Sequence, residues 1–499
     1  MLFSSIAFIA LFLPILIIGL KILNLKKEYQ YDLTLIFFSI FFYSFNEHSI
    51  TLILLISILF NFFFYKYNKK FNLLIPIIFN LGILIYFKYV NDINIIIYTL
   101  FNRELLAQSI SLPLAISFFS IQQIIFHIDM NSLKFPKVKF SKYYLFIIFF
   151  PQLIAGPIIY YSEFAQQSKF MIYRFYNKFS FNFYVGFSIF ALGLFKKIII
   201  ADNLGNIVDD IYLNIESNNF TLVDCWIFLI SYSAQIYFDF SAYSDMAIGL
   251  AKIFGLNLPI NFYSPYKSFT LANFWKTWHI TLSRIIHLFI FNNLVLMFFR
   301  LIKKNDNLII FLIPVVLAMS ISGLWHGSSF NFILWGFYHG FFLFLFSFFK
   351  LNDFFENRLS GIILTFFIVS FSWILFRSTS LEIALNIYSK MFNYREYIDI
   401  FSTDYIFFKA TEIHSLFSKI YFCILILVSY STIFIFPNIS QIYSLRYIDR
   451  FTLPLTNKFK IKNKILNSLS PIFIGLFFSI SIFIMFINAN EKEFIYFRF

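Results

Sequence analysis

The chain has 499 residues, of which 60% are hydrophobic and 13% charged, with 79 phenylalanines. Soluble globular chains carry about 25% charged residues, so a soluble enzyme is excluded, and intrinsic disorder with it. The net charge of +14 comes from cations in short clusters between apolar runs. That is the pattern of cytoplasmic loops under the positive-inside rule, not of a nucleic-acid surface. Cys225 and Cys423 lie in apolar stretches and offer neither a disulfide framework nor zinc spacing, so no protein-held metal is expected. With a mean hydropathy of +0.77, the sequence predicts an all-α polytopic membrane protein.

A membrane span needs about 20 apolar residues. In chain order the candidates are Leu2–Leu20, Leu33–Phe45, Ile50–Phe64, Leu73–Phe87, Leu112–Ile128, Tyr143–Tyr161 and Phe183–Ile200. Then come Leu222–Leu250, Ile285–Phe299, Leu308–Leu324, Phe330–Phe349, Gly361–Phe376, Ile420–Phe436 and Pro471–Ile487. Several are short and suit re-entrant or flat-lying segments, so roughly 10–12 transmembrane helices are predicted. The run from Met1 to Leu20 has no basic n-region and no small-residue cleavage site, and reads as a retained span.

Charge sets an orientation. Lys21, Lys26 and Lys27 follow the first run while the residues before it are uncharged, which places the N-terminus outside. Lys458, Lys460, Lys462 and Lys464 precede the last run and Glu491-Lys492-Glu493 follow it, which places the C-terminal tail outside too. Two outside termini require an even number of crossings. With no linker or low-complexity segment, residues 1–499 read as a single membrane domain.

Polar side chains are costly in lipid, so polar clusters within apolar sequence are the candidate sites. The first is Gln235-Ile-Tyr-Phe-Asp239-Phe-Ser241-Ala-Tyr243-Ser-Asp245, followed by Leu258-Pro-Ile-Asn261-Phe-Tyr-Ser-Pro265. Two aspartates and a proline-punctuated stretch suggest a helix ending in a cavity-lining loop; equally, Asp239 and Asp245 could cap or bridge helices. The second is Thr270-Leu-Ala-Asn273-Phe-Trp275-Lys276-Thr-Trp278-His279-Ile-Thr281. Thr270 is an N-cap by type, and on one helix Trp275 and His279 would share a face with Trp278. Taken alone, His279 suits a packed, hydrogen-bonded core histidine. The third is Ser322-Gly323-Leu-Trp325-His326-Gly327-Ser-Ser-Phe-Asn331, leading to Trp335-Gly336-Phe-Tyr-His339-Gly340. Gly323 and Gly327 allow close approach to His326, Gly336 and Gly340 have the spacing of tight helix packing, and His339 reads as structural. A neutral imidazole can take a proton from a hydroxyl, which makes His326 the chemical candidate.

Trp275-Lys-Thr-Trp-His279, with Trp325-His326-Gly327 following 47 residues after the first histidine, resembles the membrane-bound O-acyltransferases. Flanking segments resemble the bacterial alginate and peptidoglycan O-acetyltransferase branch. They are Ile116-Ser-Phe-Phe-Ser-Ile-Gln-Gln123, Phe150-Pro-Gln-Leu-Ile-Ala-Gly-Pro157, Gly193-Leu-Phe-Lys-Lys-Ile-Ile-Ile-Ala-Asp202, Tyr237 to Leu250, Trp373-Ile-Leu-Phe-Arg377 and the ending Phe494-Ile-Tyr496-Phe-Arg-Phe499. The resemblance divides the chain into N-terminal spans of weak likeness (1–110), an O-acyltransferase core (111–390), and C-terminal spans with an outward tail (391–499). In one place the chain departs from the branch. An Arg-Asp pair and a Tyr-Ile-Pro-Leu-Gly-Gly run commonly follow the Trp-His segment, but here His287-Leu288 stand at the pair and the Gly-Gly turn is missing. This bears on the choice of substrate or partner.

The resemblance implies helices around a central acyl-transfer tunnel in the cell inner (cytoplasmic) membrane. Acetyl-CoA would be the donor, with no bound cofactor, and an exported esterase-like transferase would be the partner that acetylates a glycan. His326 would be the base or the acyl-transfer histidine, and His279 would orient or polarise the acyl carbonyl. Trp275 and Trp278 would form the tunnel wall, and Trp325, Asp239, Asp245 and Asn331 complete the candidate substrate-binding set. Lys196, Lys197, Lys267 and Lys276 are candidates for attracting the CoA phosphates. Tyr496 would relay the acyl group: a phenol of pKa about 10 deprotonates more easily than a sugar hydroxyl. The alternatives are a D-alanyl transferase fed by a carrier protein, a transporter or flippase, and a scaffold of an acylation complex.

Overall fold

Helices supply all the regular structure among the described residues of the computed structural model, which are 1–45, 48–67, 73–101, 110–132, 137–302, 307–393, 416–443, 471–487 and 492–495. Lipid offers no partner for a bare backbone group, so a chain this apolar must satisfy its amides within helices. Six helices or continuous helical runs are long and apolar enough to cross a membrane: Ile50–Tyr67, Leu74–Phe101, Phe179–Glu216, Ile280–Leu301, Phe330–Phe348 and Leu359–Arg377. Four shorter apolar helices, Ala7–Leu23, Ile310–His326, Ile420–Phe434 and Pro471–Ile487, accompany them. Along Leu74–Phe101 the side chains of Leu74, Ile78 and Ile95 are more than half exposed, a surface suited to acyl chains and unsuited to water. The protein is a multi-pass, all-α membrane protein.

Two predicted spans take another form. Tyr143–Tyr161 is not one helix: Phe140–Ile148 ends, Phe150–Leu153 makes a single turn, and Tyr161–Ser168 begins after an irregular stretch. Pro151 and Pro157 lack the amides a continuous helix needs, and this apolar stretch is buried nearly throughout. Leu222–Ile253 is a 32-residue helix, buried over most of its length. It carries Asp224, Gln235, Asp239 and Asp245, so its surroundings are protein, not lipid.

The described residues fall into two compact units. The first comprises Met1–Phe195, Ala242–Ile260 and Leu445–Arg498. Its core is phenylalanine-rich, with Phe42 5.5 Å from both Phe3 and Phe150 and Phe12 5.3 Å from Phe150 between ring centroids. A buried polar network ties three of its helices: Asn61 and Asn80 exchange side-chain hydrogen bonds, and His127 reaches Asn61 Oδ1 at 3.0 Å. Asp245 belongs to this unit and is half-buried. So does Phe494, buried and stacked on Tyr243 at 4.9 Å. Tyr496, two residues further on, lies outside the described residues, as does the lysine cluster from Lys458 to Lys464.

The second unit comprises Lys196–Ser241 and Asn261–Ser444. At its centre the helices Asn307–His326 and Phe330–Phe348 form a tight hairpin. A Cβ added at Gly323 would overlap the Phe332 carbonyl, and one at Gly336 the Met319 carbonyl. The two backbones therefore touch where the sequence predicted tight packing at Gly336.

Candidate active site

Asn261 to Thr281 builds the site largely without regular structure. Thr270 caps Leu271–Trp275 as predicted, its Oγ1 accepting from the Asn273 amide at 3.2 Å. The helix then stops. His279 takes φ 43° and ψ 53°, and Ile280–Ile285 starts from it. Trp275 and His279 therefore do not share a helix face. A left-handed non-glycine residue costs about 1–3 kcal/mol and persists only where its surroundings hold it. Here the Ile280 amide donates to the Asn261 carbonyl at 2.9 Å and the Tyr263 amide to the Thr277 carbonyl at 3.0 Å.

His279 is 2% exposed. Its Nδ1 lies 3.1 Å from Asn261 Oδ1, and its ring meets Phe240 edge-on at 4.7 Å. Burial lowers its pKa from 6.5 to about 3, so the ring is neutral near pH 7. Trp278 packs on Phe274 at 5.4 Å, Phe262 at 5.1 Å and Trp373 at 5.1 Å.

His326 closes its helix inside an aromatic cage. Trp325 lies 4.9 Å away, Phe376 5.1 Å and Trp335 5.2 Å, all with rings steeply inclined to the imidazole. Trp335 touches His339 on its other side at 5.0 Å, and Trp275 meets His339 at 4.9 Å. His339 is fully buried, with Nε2 2.8 Å from Ser372 Oγ. An unbroken series of ring contacts, His326–Trp335–Trp373–Trp278, leads from one candidate histidine to the residue before the other.

The remaining candidates sort differently. Asn331 donates through Nδ2 to the Ser378 carbonyl at 2.9 Å, tying its helix to the end of Leu359–Arg377. Asp239 pairs with Lys197 at 2.7 Å, and Lys197 also reaches Asp202 at 2.8 Å. This is the helix-bridging use of Asp239, and two carboxylates offset the Lys197 charge. That removes Lys197 from the candidates for attracting CoA phosphates. Lys267 donates to the Phe436 carbonyl at 2.8 Å, and burial lowers its pKa. Lys276 is exposed. His287 sits in a π-helical turn, Ile286–Phe291, none of whose residues is buried.

Three contributors were not picked out from sequence. Trp335 lines the cage and Trp373 packs against Trp335 at 5.9 Å, although each stands in a segment already singled out. Asn261 lies 18 residues before His279, inside the proline-punctuated stretch, where nothing local shows its partner.

Residues 104–385 match the model of the membrane-bound O-acyltransferase family. The chain belongs to that family. It is 36% identical over 317 residues to the peptidoglycan O-acetyltransferase of Helicobacter pylori, covering 56% of each chain. It is 33% identical over 288 residues to the "Probable alginate O-acetylase AlgI" of Pseudomonas aeruginosa, covering 57% of this chain and 52% of that one. To the teichoic acid D-alanyltransferase of Bacillus subtilis it is 26% identical over 257 residues, covering 46% of this chain and 60% of that one. The chain spans about half the length of the curated relatives it matches.

Proposed function

We propose that the protein transfers acetyl groups from acetyl-CoA at the cytoplasmic face, through the inner membrane, for O-acetylation of an exported envelope polysaccharide of the peptidoglycan or alginate type. Two buried histidines in one unit, His326 against the indole rings of Trp325 and Trp335 and His279 against Phe240, carry the proposal, together with the match to O-acetyltransferases at 36% and 33% identity. CoA is too polar to cross a bilayer, whereas an acetyl group handed along a protein interior is not. His326 is the essential histidine of the step and His279 supports it. Lys196, Lys267 and Lys276 remain for the CoA phosphates. An exported esterase-like transferase receives the acetyl group outside.

The D-alanyl reading draws on the relative at 26% identity. Membranes containing the full chain, incubated with labelled acetyl-CoA and separately with a D-alanyl-charged carrier protein, separate the two. Label on the glycan from acetyl-CoA alone is expected. Label from the carrier and none from acetyl-CoA overturns the proposal.

Tyr496 is proposed as the acyl relay. Phe494 and Ile495, just before it, are buried in the first unit, with Phe494 stacked on Tyr243, so the approach to the tyrosine is anchored. With the partner deleted, the C-terminal peptide is expected to gain the mass of one acetyl group on Tyr496. A Tyr496→Phe variant that acetylates glycan at the full rate returns the residue to an interfacial aromatic belt.

A further inference from the structure

Asn261 Oδ1 stands 2.8 Å from Thr281 Oγ1, 3.3 Å from the Thr281 amide and 3.1 Å from His279 Nδ1. A backbone N–H can only donate, so the side-chain atom of Asn261 that faces it is the oxygen. That oxygen can only accept, and His279 Nδ1 must therefore bring the hydrogen. A neutral imidazole carries one N–H, which leaves Nε2 with a bare lone pair. Nε2 is buried and has no hydrogen-bond partner among the described residues. The Asn261 carbonyl also accepts from the Ile280 amide, so the same residue fixes the backbone beside the ring and the proton on it.

We propose that Asn261 is a positioning residue that holds His279 as the Nδ1–H tautomer, so that Nε2 receives the proton of the hydroxyl attacking the acyl carbonyl. This rests on the acyl-transfer reading and changes the task of His279 within it. Polarising a carbonyl needs a donor, and a lone pair repels the carbonyl oxygen. The hydroxyl proton passes to Nε2 while its oxygen bonds to the acyl carbon. The thioester C–S bond breaks, and the imidazolium returns the proton to the leaving thiolate. His326 then serves the acyl side of the same step.

Few charges bear on the ring. On the long helix, Asp239 adjoins Phe240 and is held by Lys197; Lys276 is exposed, and Arg284 is buried on the following helix. The test uses the full chain in membranes, acetyl-CoA turnover per molecule as a function of pH, and protein abundance in parallel. Asn261→Leu is expected to lower kcat by at least about tenfold at unchanged abundance, with the KM for acetyl-CoA little altered. Asn261→Asp is expected to restore most of the rate and to move the acid limb of the pH profile upward. A carboxylate beside Nδ1–H favours the imidazolium, and the base must be neutral to work. A full rate in Asn261→Leu, or an unmoved acid limb in Asn261→Asp, overturns the proposal.

A wild-type chain that turns over no acetyl-CoA counts against the function, and the tautomer is then read directly. Solid-state spectra of the 15N-histidine-labelled chain, differenced against His279→Gln, are expected to show a protonated Nδ1 and a bare Nε2 at His279. A protonated Nε2 overturns the inference whatever the activity, and this reading also serves if Asn261→Leu does not accumulate.

Discussion

Membranes carrying His326→Ala are expected to lose roughly 10²–10⁴ of the acetyl-transfer rate, the range typical of removing a side chain that takes part in the reacting step. The imidazole is 5% exposed and caged by Trp325, Trp335 and Phe376. Removing a buried ring also leaves a void, and such losses destabilise by a few kcal/mol. Abundance therefore has to be measured with activity, and His326→Gln, which keeps more of the volume, is the companion variant. The outcome expected is normal membrane level with glycan acetylation per molecule reduced by two orders of magnitude or more in both variants. A twofold loss, or a loss that tracks abundance alone, removes His326 from the chemistry. A transporter gives the opposite result, since it would still move its substrate without this side chain.

How far the sequence reached depends on the range over which each feature is determined. The Thr270 cap is a contact across three residues, and it was legible. The close approach at Gly336 was legible from spacing with Gly340, because helix periodicity puts small residues four apart on one face. Lys197 and Asp239 stand 42 residues apart, and the sequence placed them in separate clusters with separate tasks, although each is the other's partner. Asn261 and His279 are joined in the same non-local way. The stretch Tyr143–Tyr161 misled for another reason: its side chains are apolar enough for a span, and only Pro151, Gly156 and Pro157 signalled that the backbone turns. His279 misled because helical spacing was extended through Lys276-Thr277-Trp278. In the fold the helix ends at Trp275 and the histidine turns left-handed. The family, by contrast, was readable because its motifs are runs of neighbouring residues, and residues 104–385 bear it out.

Gly336→Ala is expected to destabilise the protein, although alanine is the better helix former. Within a helix, glycine to alanine gains up to about 1 kcal/mol of propensity. Gly82 and Gly475 stand in helices where an added Cβ would meet nothing within 4 Å, so alanine at either is expected to be neutral or mildly stabilising. At Gly336 the Cβ would overlap the Met319 carbonyl oxygen, and at Gly323 the Phe332 carbonyl oxygen. These are backbone atoms held in helical hydrogen bonds, and no rotamer change relieves them. The helices Asn307–His326 and Phe330–Phe348 would have to part. Overpacking a core costs about 1–3 kcal/mol where side chains can yield, and here they cannot. Lipid supplies no hydrophobic drive to hold separated helices together, so close small-residue packing is itself a main source of their association. His326 ends one helix of the pair and Trp335 and His339 ride on the other, so parting them also opens the cage around the histidine. Gly323→Ala and Gly336→Ala are thus expected to lower both the thermal midpoint in detergent and the transfer rate per folded molecule, while Gly82→Ala changes neither. If Gly336→Ala accumulates and melts like Gly82→Ala, the hairpin yields more readily than its backbone contacts imply. The position of His326 then does not depend on it.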